Sequence, residues 1–360
     1  MAAAAVFGLW KSAGARVQAP SRVVYVQEEG DWVIRRIGAY LGEGVRSRDI
    51  PFAVADTPRF RYNSLVHFGS VHAFVHGGAG KTHASNRVMI TMYHGDMGIS
   101  TEFDETLRIV LEKRDRIART VVSTTLMRKR LIGWGMDPAR IALIPIGVEL
   151  SAFAPMSADE RSAARSGLGI PEDALCVGSF QKDGNGWGEG LEPKLIKGPD
   201  LFVEAVIRLA RRRKVHCLLT GPARGYVKAR LGQAGIPFTH RMLPDYADVA
   251  RMYGCLDIYL VTSREEGGPM SIMESMASGV PLVTTFVGMA PDVIRDRENG
   301  MISKALDADS IASAAEELLS NRALRERCIA AARQDVKRLD WPEIAASYAN
   351  LYRELLDSAA

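Results

Sequence analysis

Short runs of apolar, often β-branched residues alternate along the chain with amphipathic stretches of helical length. Such alternation predicts parallel β-sheets covered by helices on both faces, and it occurs in two successive series. The first series predicts strands at residues 23–27, 64–68, 88–93, 120–123 and 141–144, and the second at 175–180, 215–220, 237–239, 258–261 and 281–285. The predicted fold class is therefore α/β, with two Rossmann-like domains.

The chain has 360 residues, and a common single domain has about 150, so the length also favours two domains. A polar segment at 156–166 separates the two series, and we place the boundary near residue 150. Ligands of open α/β sheets bind beyond the carboxyl ends of the strands, so the cleft between the domains is the predicted site. We expect a flexible tail or weak membrane anchor over 1–20, an N-terminal domain over 21–150, a C-terminal domain over 151–340 and a final helix over 341–360.

The composition is typical of a soluble globular protein, since 47% of the residues are hydrophobic and 24% are charged. It excludes collagen-like, disordered and disulfide-rich proteins. The net charge of +4 is too small to make nucleic acid the expected partner. Residues 1–150 carry 20 basic and 14 acidic side chains, a net charge of +6, whereas residues 151–360 carry 26 and 28, a net charge of −2.

The basic excess of the first half is concentrated in one stretch. A solvated helix face explains it, and an anionic acceptor or a lipid headgroup surface is the alternative, which would bring peripheral contact with the inner membrane surface. The residues concerned are Lys113, Arg114, Arg116, Arg119 and the run 128–130.

The sequence also indicates a compartment. Cys176, Cys217, Cys255 and Cys328 form no CxxC pair, so we expect reduced, buried thiols. No apolar stretch approaches the ~20 residues that a membrane span needs, and the apolar start lacks a positively charged leader. We therefore predict a cytoplasmic protein.

The segment after the predicted strand 258–261 carries the clearest chemical signal. Pro269 suits the first position of a helix and Gly279 suits its stop, so a helix is predicted at the carboxyl end of this strand. The free amides at the start of that helix would bind a phosphate, because glycines there allow close approach. The candidate residues are Gly267, Gly268, Pro269, Met270 and Ser271.

Two glutamates flank this glycine-rich turn. Glu266 precedes the predicted helix, and Glu274 lies eight positions later. Carboxylates at these places can accept hydrogen bonds from sugar or ribose hydroxyls. The alternative is a glutamate at a helix start plus a solvated one, which leaves the Gly-Gly-Pro turn unexplained.

Several segments together resemble one known family, the retaining glycosyltransferases of family 4, which have the GT-B fold. The resemblance rests first on Glu266 and Glu274 with the continuation 277–285. It implies two Rossmann-like domains that face a cleft, and a C-terminal helix that crosses back to the N-terminal domain. It spans residues 85–355 and includes the strand 89–95 that ends in His94 and Gly95, the turn 144–149, and the segments 292–300 and 340–343.

The resemblance implies roles for individual residues. Glu266 would contact the donor sugar near the reacting carbon, Glu274 the ribose hydroxyls, and Lys197 the donor phosphates. The amides of 268–271 would bind the diphosphate, and the family transfers its sugar with retention at the anomeric carbon and without a metal. Fixed cations and dipoles at the leaving diphosphate are then expected to dominate catalysis. The backbone that would read the base belongs to Arg241, Met242 and Leu243.

The chain departs from the family pattern after Gly178. Ser179 stands where the family has arginine; we take Lys182 as the substitute, with Ser179 and Gln181 as further donor-binding candidates. The segment 183–190 is longer and richer in glycine than the family loop. It is either a lid that carries Trp187 over the site or a plain flexible excursion.

The first half supplies the acceptor side of the predicted site. Gly30, Asp31 and Trp32 follow the first strand, where the family places a loop near the donor phosphates and the acceptor. His94 would point into the cleft and bond the donor sugar or the attacking hydroxyl, unless it is a structural histidine. Asp96 is a further candidate for an acceptor contact.

Two patterns in this half favour other sites and are set aside. Residues 77–82 resemble a P-loop, but the first glycine that a P-loop requires is replaced by Val75. Four histidines have metal-like spacing, yet no cysteine or carboxylate set completes a site. We therefore expect no metal and no other cofactor. The histidines are His67, His72, His76 and His83.

We predict a retaining glycosyltransferase that uses a UDP- or GDP-sugar, with uridine favoured, and a hydroxyl acceptor on a glycan, a lipid-linked molecule or a small molecule. Front-face attack with the leaving phosphate as base is favoured by the resemblance, and a covalent intermediate stays open. The main alternative is a catalytically silent nucleotide-sugar-binding subunit, because Ser179 replaces arginine and the N-terminal domain is short. An epimerase or phosphorylase on the same fold comes third.

Overall fold

A computed structural model describes residues 22–28, 33–78, 81–186 and 188–357. The predicted acceptor-side residues Gly30, Asp31 and Trp32 lie outside these ranges, as do the predicted tail over 1–20 and Trp187.

The N-terminal sheet consists of six parallel strands. Their bounds are Val23–Val26 (β1), Phe52–Ala55 (β2), Leu65–Phe68 (β3), Arg87–Thr91 (β4), Ile117–Val122 (β5) and Ile141–Leu143 (β6). The strand order is β2-β1-β3-β4-β5-β6, so the order reverses at β1. The helices are Val33–Arg46 (α1), Thr101–Glu112 (α2) and Thr125–Gly133 (α3), with a π-helix at Ala73–Gly78 and 3-10 turns at Arg114–Arg116 and Pro138–Arg140.

The C-terminal sheet is also parallel and six-stranded. Its strands are Leu175–Phe180 (β7), Val215–Thr220 (β8), Phe238–Arg241 (β9), Ile258–Val261 (β10), Leu282–Thr284 (β11) and Met301–Ile302 (β12). The order β12-β11-β10-β7-β8-β9 reverses between β7 and β10. The helices are Ala158–Gly167 (α4), Pro199–Ala210 (α5), Gly225–Gln233 (α6), Ala247–Gly254 (α7), Met270–Ala277 (α8), Ala290–Val293 (α9), Ala308–Ser320 (α10) and Arg322–Asp335 (α11), with 3-10 turns at Leu195–Lys197 and Val336–Leu339.

All ten predicted strands are confirmed, with ends that shift by three residues at most. Their central positions are buried on both faces, as in β1 and β8, and such runs are what parallel sheets require. Two further strands, β2 and β12, were not predicted. Strand β2 lies at a sheet edge and buries only Phe52 fully, and β12 has two residues.

The last helix, Trp341–Asp357 (α12), packs against the N-terminal domain, which confirms the predicted crossing. The Trp341 ring stacks on Tyr40 of α1, with 4.9 Å between the ring centroids. Deeper in the core, Tyr352 and His67 of β3 share a hydrogen bond of 2.7 Å between the hydroxyl and Nδ1. His67 is therefore a core residue that joins the last helix to the first sheet.

The expectations about cysteines and membrane spans can be compared with the described residues. All four cysteines are buried and unpaired, and burial raises the pKa of the Cys176 thiol to about 12. Within residues 22–28, 33–78, 81–186 and 188–357, none of the helices has the length and apolar character needed to cross a bilayer.

Candidate active site

The carboxyl end of β10 leads directly into the site. The chain passes through 262–269, and α8 begins at Met270. Pro269 is therefore the N-cap residue, and the helix begins one residue later than predicted. Among the described residues no side chain caps this helix start, so its first amides lack a side-chain partner there. Gly267 is required here for a further reason: a Cβ atom on it would lie 2.5 Å from Cβ of Tyr93 in the other domain.

Glu266 and Lys197 form an ion pair at the mouth of this turn. Lys197 Nζ lies 2.6 Å from Glu266 Oε1, and Ser263 Oγ donates to the same oxygen at 3.1 Å. The two side chains retain 25% and 11% of their surface, so both still face the cleft. The sequence-predicted catalytic pair is thus brought together.

The fold holds Lys197 at this place through Gly198. Gly198 has a φ of +62°, and a Cβ atom on it would lie 1.9 Å from the carbonyl oxygen of Thr262. Because only glycine fits, the 3-10 turn that carries Lys197 can lie directly on the end of β10. The Gln181 side chain donates a hydrogen bond of 3.2 Å to the Lys197 carbonyl, and this bond helps to hold the turn in place.

A third lysine joins Lys197 and Lys182. Burial lowers the pKa of Lys194, the charges of Lys197 and Lys182 lower it further, and Glu266 opposes the shift. The charges of Lys197, Lys182 and Glu266 therefore all act on Lys194, and the excess of positive charge favours an anionic ligand. Sequence analysis missed Lys194, although it lies only three positions before Lys197.

Ser179 does not present its hydroxyl to the cleft. The residue is 1% exposed, and its Oγ accepts a hydrogen bond of 3.1 Å from the buried Arg224 guanidinium. Arg224 also donates to the carbonyls of Ser179 and Thr220 and forms a fully buried ion pair with Asp183 at 3.0 Å. The Ser179 hydroxyl therefore faces inward, and the predicted part of Ser179 in donor binding stays a prediction.

His94 contributes from the opposite domain. Its side chain is exposed on the cleft side, and partial desolvation by the surrounding protein lowers its pKa. The Glu266 carboxylate partly opposes that shift, whereas Lys197 adds to it. His94 and Glu266 line the same cavity between the two domains.

A polar bridge closes the cleft beside His94. Arg130 donates to both carboxylate oxygens of Glu265, at 2.7 and 3.2 Å, and Gly95 N donates to Glu265 Oε1 at 3.1 Å. Asp96, predicted as an acceptor contact, lies 3.2 Å from Arg130 Nε. Arg130 therefore belongs to the domain interface and not to a solvated face. A cavity of about 230 Å³ remains between the domains, lined among others by His94, Arg130, Glu265 and Glu266.

Glu274 is buried beneath this region. It is 3% exposed and accepts hydrogen bonds from the hydroxyls of Tyr246 and of Tyr253, the latter at 2.8 Å. Arg36 of α1 lies over the Tyr246 ring, 3.7 Å from its centroid. Two tyrosine hydroxyls thus bond to the carboxyl group for which a ribose contact was predicted, and that contact stays a prediction.

Burial gives Glu274 a measurable signature, because it raises the pKa of this carboxyl from 4.5 to about 8. A carboxyl whose pKa is higher in the folded state contributes stability below its unfolded pKa and loses that contribution as the pH rises through the folded value. We expect the melting temperature to fall from about pH 5 to about pH 8 in the unmodified chain, and to fall less in Glu274→Gln. Parallel curves for both proteins in thermal melting would contradict this.

The remaining donor-side candidates lie at the end of β9. Arg241 ends the strand, and Met242 is 63% exposed, next to Leu243. Their predicted contact with a base through the backbone stays a prediction.

Solved structures of similar architecture define the fold class. Sucrose-phosphate synthase from Thermosynechococcus elongatus aligns over 94% of this chain and 100% of its own, with a TM-score of 0.74 and 16% identity. HepE from Anabaena, in complex with UDP and glucose, aligns over 93% and 100%, with a TM-score of 0.74 and 15% identity. The chain therefore has the GT-B fold.

Sequence comparison then assigns the C-terminal half. Residues 191–335 match the family described as "Glycosyl transferases group 1". Curated relatives include the D-inositol 3-phosphate glycosyltransferases of Nocardioides sp., 28% identical over 68% of this chain and 54% of the relative, and of Xylanimonas cellulosilytica, 30% identical over 61% and 53%. The chain spans about half the length of these relatives.

Proposed function

We propose that this protein is a retaining glycosyltransferase that moves a sugar from a nucleotide-diphosphate sugar to a hydroxyl acceptor. The observation that carries the proposal is the ion pair of Lys197 and Glu266, 2.6 Å apart, whose carboxylate lines one interdomain cavity together with His94. A nucleotide sugar bound against α8 would place its reacting carbon between these groups.

The charge distribution suits departure of a diphosphate. Negative charge develops on the phosphate oxygens as the bond to the sugar breaks, and preorganised cations stabilise that charge most in a water-poor cleft. Lys182, Lys194 and Lys197 supply three positive charges there, and their mutual repulsion is relieved when a dianion binds. We propose that these lysines, with the amides that begin α8, take the place of a metal ion at the donor.

We base the proposed retention of the anomeric configuration on the carboxylate that lies near the predicted donor position. Glu266 is the carboxylate that the predicted donor position brings near the anomeric carbon, and Lys197 already pairs with it. A paired carboxylate is a weak nucleophile, so front-face attack with the leaving phosphate as base is favoured over a covalent intermediate. His94 would hydrogen-bond the sugar or the attacking hydroxyl.

The relatives guide the choice of substrates. The neighbouring structure of HepE contains UDP and glucose, which favours a UDP-sugar as donor. The names of the curated relatives favour a phosphorylated polyol among the acceptors, besides glycans and lipid-linked molecules. We propose a cytoplasmic enzyme, with peripheral membrane contact through the basic N-terminal domain where the acceptor is lipid-linked.

Calorimetric titration with UDP-, GDP- and ADP-sugars tests the donor site. One donor is expected to bind selectively, and Lys194→Ala to weaken that binding about tenfold, the loss of one charge-assisted hydrogen bond. Lys214→Ala is the matched control, because Lys214 pairs with Asp173 at the opposite end of the sheet. The affinity of the Lys214→Ala variant for the donor is expected to stay unchanged.

An assay of sugar transfer distinguishes an active enzyme from a catalytically silent subunit. The donor that binds is incubated with inositol phosphate and with a glycan and lipid extract, and sugar transfer is followed by mass spectrometry, with and without chelator. Transfer that persists in chelator supports the proposal. Tight donor binding without any transfer would support the silent nucleotide-sugar-binding subunit instead, and absence of binding by all donors would contradict both.

A further inference from the structure

Two histidines and a glutamate converge on the N-terminal domain, outside the site described above. One side-chain ligand atom of each of His72, His76 and Glu102 lies within 4.8 Å of the others. The two imidazole rings are 4.3 Å apart between centroids. All three side chains are exposed, so an ion could reach them from solvent.

The fold holds the backbones of these residues in place. His76 belongs to the π-helix Ala73–Gly78, which follows β3 and begins with a hydrogen bond of 3.0 Å from Ala73 N to Ser70 Oγ. Glu102 lies in the first turn of α2, which Ser100 caps through a hydrogen bond from Phe103 N. The segments that follow β3 and β4 therefore determine how the three side chains lie relative to one another.

The other two histidines of this region are engaged elsewhere. His67 is buried between Tyr352 and Thr91, and His83 bonds Ser85. Neither His72 nor His76 makes a hydrogen bond with another described residue, so their ring nitrogens stay available. Glu102 supplies the carboxylate that the histidine spacing in the sequence lacks.

We propose that His72, His76 and Glu102 bind a divalent transition-metal ion of the zinc type. Two imidazole nitrogens and one carboxylate oxygen form a donor set that zinc accepts, with water in the fourth position. Tetrahedral zinc needs ligand atoms about 3.3 Å apart, given bonds of about 2.0–2.1 Å. The ligand atoms lie within 4.8 Å of one another on exposed side chains, so binding requires a closer approach through rotation about their χ angles.

The bound ion would act on the segment between β4 and α2. Metal ligation fastens the π-helix after β3 to the first turn of α2, and the chain between Thr91 and Thr101 carries His94 and Asp96. The ion is thus a structural clamp next to the loop that supplies His94, separate from the lysine cluster. This inference does not depend on the proposed function.

Calorimetric titration of the chelator-treated full chain with zinc chloride tests the site. One equivalent is expected to bind with micromolar affinity, and magnesium chloride is expected not to bind. His76→Ala and Glu102→Gln are each expected to weaken zinc binding by at least ~10-fold, the loss that even outer-shell partners of metal ligands cause. Thermal melting without metal should match for all proteins, since both positions are exposed.

Two neighbouring residues serve as controls. His83→Ala removes another exposed histidine, and Glu105→Gln removes another exposed glutamate of α2. Both are expected to keep the affinity of the unmodified chain. The proposal is overturned if neither His76→Ala nor Glu102→Gln weakens zinc binding, or if the two controls weaken it equally.

Discussion

Sugar transfer is expected to fall by about 100- to 1,000-fold when Lys197 is replaced by alanine, the range seen when one preorganised donor to a developing charge is removed. The variant removes a cation from the leaving diphosphate. It also leaves the Glu266 carboxylate, 11% exposed, without its ion-pair partner and close to the phosphates. Initial rates over a range of donor concentrations measure the effect.

The division of the loss between kcat and KM tests the reason for it. Because negative charge grows on the diphosphate only as the bond breaks, kcat should carry more of the loss than KM. Lys197→Arg retains the charge and should recover part of the rate, whereas the control Lys214→Ala should leave it unchanged. A Lys197→Ala variant with an unaltered kcat would remove Lys197 from the reaction.

The largest loss of stability is expected from Arg224→Met. Arg224 and Asp183 are both 0% exposed and 3.0 Å apart, so the variant leaves a buried carboxylate without its cation. Breaking a buried ion pair from one side costs about 3–5 kcal/mol. The melting temperature should fall by several degrees, and the segment after Asp183, which carries Lys194, should lose its anchor.

A double variant shows whether the unpaired carboxylate is the cause. Asp183→Asn combined with Arg224→Met removes the buried charge and should regain part of the lost stability. Arg230→Met, in the helix that follows Arg224, is the matched control, because its partner Glu204 is 41% exposed and such pairs contribute at most about 1 kcal/mol. A double variant no more stable than Arg224→Met would refute the explanation.

The fold could be predicted because each strand is specified mainly by its own short segment of sequence. A short apolar run rich in β-branched residues, such as Val23–Val26, predicts a buried parallel strand from its own sequence. Phe52–Ala55 was missed because an edge strand alternates in burial and resembles a loop, and Met301–Ile302 is too short for any period to show.

The site was predictable only where one segment carries it. Glu266 and the turn before α8 form a contiguous pattern, and Lys197 lies at the end of its own short turn. Arg130 and Glu265 meet because two domains pack, and their separation of 135 residues carries no signal. The same holds for Arg224, which lies 45 residues from the Ser179 that it contacts.

The crossing of α12 has a consequence for how the protein is made. Val23, Tyr25 and Leu65 share one core with Tyr348 and Tyr352, which follow the whole C-terminal sheet in sequence. While a ribosome is still translating the second domain, the first sheet keeps an uncovered aromatic surface and cannot complete its packing. The N-terminal sheet can therefore complete its core only after the C-terminal sheet has been synthesised, although it precedes that sheet in the chain.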